Sequence, residues 1–336
     1  MIIMKLHTII LLILISVHCH MKAQDPQFSQ FYSNYLYLAP SFAGLSDINR
    51  ISMNYRNQWP DIPNGFKTYS VSYDHYFSKF NSGLGFMVMR DEAGSGRLRT
   101  TNVGMQYSFD FQIIEGFHMR PGLQFQYTER NLDFYKLLWK DQMSASGHSP
   151  VSAEVPSMNR VGDIDFATSV LAYSGDFWLG CSVDHLLKPN QSLYDFEKED
   201  GNQGHVPVKW QVFGGGKYVA KQRLLQPIPS SIQLAFLYKD QDKFKQLDMG
   251  IYWYRSPLVL GFWYRGIPVI DNFYSNDALT FLIGYKVKSV NIGYSYDFTV
   301  SKLITRTKGS HELSFSYSFS GKPRKKRPKI VPCPEF

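Results

Sequence analysis

VGMQYSFDF, residues 103–111, sets Val103, Met105, Tyr107, Phe109 and Phe111 on alternate positions, with Gly104, Gln106, Ser108 and Asp110 between them. Successive side chains of a strand point to opposite faces, so this stretch has one apolar face and one small or polar face. The alternation returns in VNIGYSYDF (290–298), through Val290, Ile292, Tyr294, Tyr296 and Phe298, and in LSFSYSF (313–319), through Leu313, Phe315, Tyr317 and Phe319. From Ile51 onward period two dominates. Fourteen segments carry it, centred on 51–58, 68–76, 83–90, 100–111, 117–127, 163–173, 176–184, 208–218, 231–239, 246–254, 258–264, 278–287, 289–299 and 310–319. Their lengths bracket the roughly 9–11 residues that a tilted strand needs to cross a bilayer.

A soluble sandwich also alternates, but turns its apolar residues inward. Three features favour a membrane barrel. The second face is often Gly, Ser, Thr, Asn or Gln, which a wet or side-chain-filled lumen accepts. Of the 22 Tyr and 25 Phe, many fall near strand ends, where interfacial girdles lie. Connections alternate in length, long at 128–162 and 185–207 and short at Ser174-Gly175, Arg255-Ser256-Pro257 and Lys288, with 219–230 breaking the rule. In hydrocarbon an open sheet edge leaves backbone groups unpaired, so the sheet is expected to close. The predicted fold is all-β, a transmembrane antiparallel β-barrel of fourteen strands over 51–320.

The flanks differ from this body. Lys5 precedes the apolar run IILLILISV (Ile9–Val17), too short to span, and Ala23 offers a cleavage point, so 1–23 reads as a secretory signal peptide. Cys19 invites a lipoprotein reading, but Val17 and His18 are not the small residues such a site wants. Residues 24–50 form an N-terminal periplasmic or lumenal segment, and 321–336 a basic periplasmic tail. An even strand count starting from a periplasmic N-terminus puts both termini on the periplasmic side of the outer membrane. The net charge of +8 is largely a property of that tail, where Lys322, Arg324, Lys325, Lys326, Arg327 and Lys329 face only Glu335. A nucleic-acid-binding body is thereby disfavoured, and three cysteines make no disulfide scaffold.

Signals for chemistry are poor. HELSF (311–315) has no second histidine at helical spacing, and neither a CxxC pair nor a Walker loop occurs. His75, His118, His148, His185 and His205 are scattered and read as structural or solvated. Asp163 and Asp165 share a strand face and read as a solvated lumen or loop pair before a calcium site. The expectation is a non-enzyme with no cofactor and no metal.

QDPQFSQFYSNYLYLAPSFAG (24–44) is dense in aromatics, non-periodic and carries only Asp25 as a charge. With YRNQWPDIPNGFKTYSVSYDHYF (55–77), GDIDFATSV (162–170), HLLKPNQSL (185–193), HELSFSYSF (311–319) and VPCPEF (331–336) it resembles the PorP/SprF family, outer-membrane proteins of the Bacteroidota type IX secretion system. Asn34-Tyr35 departs from the Asn-Pro expected there. The resemblance implies a barrel of the secretion and gliding machinery. Its partners would be periplasmic ring lipoproteins or a peptidoglycan-binding protein, and a large surface adhesin whose export and attachment it supports. The alternative is a porin-like or hydrophobic-solute channel. The residues expected to bind partners are Phe28, Phe31, Tyr32 and Tyr35 at the start, and Lys322, Arg324, Lys325, Lys326, Arg327 and Lys329 in the tail.

Overall fold

The computed structural model describes residues 25–46, 49–137, 142–144, 147–148, 159–193, 204–219, 230–266, 278–300 and 308–319. The leader 1–23 and the tail 321–336 lie outside them. The alternating stretches form the strands β1 (Asn49–Gln58), β2 (Phe66–Phe77), β3 (Ser82–Ala93), β4 (Leu98–Phe109), β5 (Phe111–Ile114), β6 (Phe117–Asn131), β7 (Met143–Ser144), β8 (Gly147–His148), β9 (Arg160–Tyr173), β10 (Phe177–Asp184), β11 (Lys209–Val219), β12 (Ser230–Gln241), β13 (Phe244–Arg255), β14 (Leu258–Arg265), β15 (Ala278–Val287), β16 (Val290–Thr299) and β17 (Ser310–Phe319). The strands β1–β4, β6 and β9–β17 pair antiparallel with their neighbours, and β17 returns to β1 from Asn49↔Phe319 to Gln58↔Ser310. The wall is therefore a closed fourteen-strand barrel. The short β5 adds one rung below it against Phe117–Met119, and β7–β8 is a separate two-residue hairpin.

Closure satisfies every ladder position along the seam, and burial decides what the barrel sits in. Leu123, Leu234 and Met105 expose about 60 % of their surface, and Tyr107, Phe109, Ile292, Leu313, Phe315 and Tyr317 are exposed with them. The opposite face buries Ser52, Asn54, Gln106, Ser108, Gln124, Ser169, Gln211, Thr280, Ser314 and Ser316. This is a soluble domain turned inside out, apolar outward and polar inward, as hydrocarbon requires. Among the described residues no helix is long and apolar enough to cross a membrane.

The strand ends joined through 78–81, 110–116, 174–176, 220–229, 256–257 and 288–289 lie at one end of the barrel, the short-turn end. The strand ends joined through 59–65, 94–97, 132–159, 185–208, 242–243, 266–277 and 300–309 lie at the other, the long-loop end. The connection 220–229 is long for its end and 242–243 short for its own. The expected loop 128–162 is trimmed at both sides, because β6 and β9 stay paired out to Asn131↔Arg160. That extension carries Glu129, Arg130 and Arg160, with Arg160 bonded to Glu129, so the wall rises there on charged rungs.

An arginine at the outward position of Leu123, near the middle of the 15-residue β6, is expected to destabilise the barrel by about 2–4 kcal/mol, the cost of a cation near the bilayer midplane. Equilibrium unfolding of Leu123→Arg in vesicles measures this. An unchanged transition would mean that the face does not meet lipid.

Candidate functional site

Residues 25–46 lie inside the barrel. The segment has no helical or strand period because its rings must find partners all round, and it makes only short local structure. Ser33 and Asn34 donate their amides to Gln30 and Phe31 in a tight turn, and Tyr35–Leu38 forms one helical turn. Pro40 ends that turn, since the residue before a proline is driven extended, and Ala39 is at φ −165°, ψ 142°. A 3₁₀ turn, Pro40–Phe42, follows.

The rings pack against the few large apolar residues that the wall points inward. Phe31 meets Trp263 edge-on with centroids 4.8 Å apart, Phe42 lies 5.4 Å from Phe213, and Tyr32 sits 6.1 Å from Trp178. The Trp178 indole N–H donates to the Tyr32 hydroxyl at 3.3 Å. With Leu171, Leu237, Tyr252, Val259 and Leu282 these residues form the hydrophobic core, which lies in the lumen. Two wall glycines admit the chain. A Cβ on Gly83 would stand 2.0 Å from the Ala43 carbonyl oxygen, and one on Gly122 would stand 2.2 Å from the Ser41 nitrogen, so any side chain there displaces backbone.

Polar contacts fix the segment at three heights. Nearest the short-turn end, Arg120 and Ser108 donate to the Ala43 carbonyl at 2.5 and 2.8 Å, and the Gly44 amide donates to Asp74 at 3.0 Å. Asp74 also pairs with Arg50 at 2.9 Å, whose guanidinium lies 4.3 Å above the Tyr35 ring.

Higher up, the Ser29 hydroxyl donates to Asp297 at 2.6 Å and accepts from Arg56 at 2.5 Å and Arg265 at 2.6 Å. One proton and two lone pairs are thus all used. The Ser29 and Gln30 amides donate to the two oxygens of Glu312 at 2.7 and 3.0 Å. Arg56 bridges Asp297 and Glu312 at 2.7 and 3.1 Å, and Arg265 pairs with Asp297 at 3.2 Å. The Gln30 side chain bonds Ser295, Ser314 and the Glu312 carbonyl. Two cations and two anions balance here with their hydrogen bonds met, the condition under which buried charge is tolerated.

At the long-loop mouth the Asp25 carboxylate accepts from Lys209 at 2.6 Å and lies 2.9 Å from His185 Nε2. His185 Nδ1 lies 2.7 Å from Asp165, and Lys209 reaches Asp184 at 3.0 Å. Burial alone would discharge the imidazole, but Asp25 and Asp165 outweigh it and push the His185 pKa up to about 10. Both ring nitrogens then donate. Burial likewise favours the neutral acid at Asp25, yet His185 and Lys209 hold its carboxyl well below the usual range. The crevice left beside Asp25 and Tyr37, lined also by Met87, Met89, Asn102, Gln124 and Gln126, amounts to about 40 Å³, which is room for about three waters.

Phe28, Phe31, Tyr32 and Tyr35 are at most 4 % exposed, so their rings face the wall and one another. Lys322, Arg324, Lys325, Lys326, Arg327 and Lys329 lie outside the described residues. The sequence reading missed Arg56, Arg265, Asp297 and Glu312, and it left His185 as scattered. A signal was present for three of them, since Arg56, Asp297 and Glu312 stand on the polar side of alternating strands, whereas Arg265 ends a strand whose inward positions are Val259, Gly261 and Trp263.

The model of the type IX secretion system membrane protein PorP/SprF matches residues 20–317. The chain belongs to the PorP/SprF family. Among curated protein sequences none matches it significantly. Solved structures similar to this family member include Omp33, an outer membrane protein of Acinetobacter baumannii, with 10 % identity and a TM-score of 0.44 over 82 % of this chain and 100 % of that one. The KdgM porin is similar at 10 % identity and a TM-score of 0.38, over 80 % of this chain and 99 % of that one. BamA of Haemophilus ducreyi is similar at 7 % identity and a TM-score of 0.41, over 81 % of this chain and 70 % of that one. At these levels none of them bears on what this PorP/SprF protein does.

The mouth latch has a pH signature. A histidine whose folded pKa is raised contributes fully below its unfolded value of about 6.5, and the contribution is lost as pH rises towards about 10. An aspartate whose folded pKa is lowered contributes fully above about 3.9, and the contribution is lost as pH falls further. The stability difference between the wild type and Asp25→Asn should therefore be greatest between about pH 4 and 6.5, at about 1.5–3 kcal/mol for charge-assisted bonds. It should shrink on either side. Thermal unfolding of the detergent-solubilised barrel across pH checks this, and a pH-independent difference would remove the latch.

Proposed function

We propose that this chain is the outer-membrane barrel of a type IX secretion and gliding machine, and that it works without catalysis by holding protein partners. Its long loops face outward and its short turns face the periplasm. At the inner face it binds ring lipoproteins or a peptidoglycan-associated protein, with the tail Lys322–Lys329 as the basic contact. At the outer face it supports export and attachment of a large adhesin.

The observation that supports holding over conduction is the filled lumen. A solute channel needs open width, and here the segment 25–46 occupies the interior with buried rings and buried hydrogen bonds to the wall. The crevice beside Asp25 and Tyr37 suits a few waters, not a sugar or a lipid chain. Family membership supports the machine, and the basic tail, which has little to neutralise it in sequence, supports a partner with an acidic surface.

Two measurements test this. In planar bilayers the wild-type protein is expected to give no steady conductance, and the variant lacking 25–44 to give discrete open steps. Open steps from the wild type would favour the channel reading. In membranes, crosslinking followed by purification should retain periplasmic partners. Changing Arg324, Lys325, Lys326 and Arg327 together to Ser should lower that recovery about tenfold or more, the loss of some 1.4 kcal/mol or more of binding. Unchanged recovery would leave the tail without this role.

A further inference from the structure

The N-terminal segment crosses the lumen from one end to the other. Asp25 sits among Asp184, His185 and Lys209, which border the connection 185–208. Ser29 meets Arg56, Arg265 and Asp297, each within two residues of the long-loop end of its strand. Ser41 then donates to Ser169, and Ala43 and Gly44 meet Arg120, Ser108 and Asp74 towards the short-turn end. Asn49 starts β1 at that end, opposite Phe319. The first and last described residues therefore lie at opposite ends of the barrel. Burial grades along the same path. Asp25, Pro26 and Gln27 are half-buried, and burial is complete from Phe28 to Ser33.

We propose that Asp25–Gln27 is displayed at the outer mouth of the barrel, so that the lumenal segment is a stopper hinged at the inner rim, where it joins β1, and latched from outside through Asp25 and Ser29. A strap tied at one rim and threaded to the other comes free only when its far end is released, and that far end is held by residues of the long-loop mouth. The event that frees the stopper therefore acts at the cell surface. An external polypeptide reaches the Asp25 latch without crossing the membrane, and a periplasmic partner meets only the hinge. This rests on the outward placement of the long loops given above.

The test is cysteine accessibility in intact cells, using a membrane-impermeant maleimide on a chain whose Cys19, Cys181 and Cys333 are replaced by Ser. Lys243→Cys in the connection 242–243 reports the long-loop end, and Lys79→Cys in the turn 78–81 reports the short-turn end. Gln27→Cys is expected to label in intact cells as Lys243→Cys does, while Lys79→Cys labels only after the outer membrane is opened. Labelling of Gln27→Cys only after opening, or in neither state, while Lys243→Cys labels from outside, would overturn the display of Asp25–Gln27. A protected Lys243→Cys would instead overturn the orientation of the barrel. Pro26→Cys provides a second probe should Gln27→Cys fail to assemble, with heat-dependent gel mobility reporting assembly.

Discussion

A ring of fourteen strands encloses more width than inward side chains close on their own, since side chains alone fill barrels of about eight strands. Hydrocarbon forces closure because no backbone group there finds water. Closure then creates the void, and everything distinctive about this molecule answers it. The wall's inward glycines at 83 and 122 make room for backbone in place of filling it with side chains. The chain supplies it from its own beginning, and the hydrophobic core that a soluble protein builds between layers is built here between the wall and a guest segment.

The guest has to be held as well as accommodated. Ring packing gives most of the burial but little direction, since an apolar contact tolerates sliding. Direction comes from the polar sites. The Ser29 hydroxyl spends all three of its hydrogen-bonding positions on Arg56, Arg265 and Asp297, and the two oxygens of Glu312 each take one backbone amide. An error of a single residue in the segment would leave the salt bridges of the wall in place but strip Glu312 of its two amide donors and Arg56, Arg265 and Asp297 of the Ser29 hydroxyl, each a hydrogen bond to a charged group worth about 1.5–3 kcal/mol. The clamp thus sets the register of a segment whose aromatics alone would leave it loose. The glycines at 83 and 122 are the matching concession of the wall.

The barrel was legible because its rule is local. Period two can be read nine residues at a time, as in VGMQYSFDF and VNIGYSYDF, and the exposed and buried faces fell where those residues put them. Strand ends were less legible where charged rungs carry a ladder above the membrane, as at Arg130 and Arg160, because a strand standing in water needs no apolar face. The filling was half legible. The aromatic density of 24–44 marked it as something to be buried, but no spacing pairs Ser29 with Arg56, Asp297 and Glu312, which are 27, 268 and 283 positions away. His185 shows the same limit. Nothing in HLLKPNQSL points to Asp25, and the contact exists only because the segment reaches the far mouth.

Glu312 belongs to the last strand made. The seam that fastens the barrel joins β17 to β1, and Glu312 is carried into the lumen by that same pairing. Were β17 to slip by one residue, every one of its side chains would change face, and Glu312 would meet lipid in place of Ser29 and Gln30. The clamp therefore also proofreads the hoop. A misregistered seam forfeits the salt bridge to Arg56 and the two amide bonds together, so the correct closing register is selected by what the barrel contains as much as by the strands that form it.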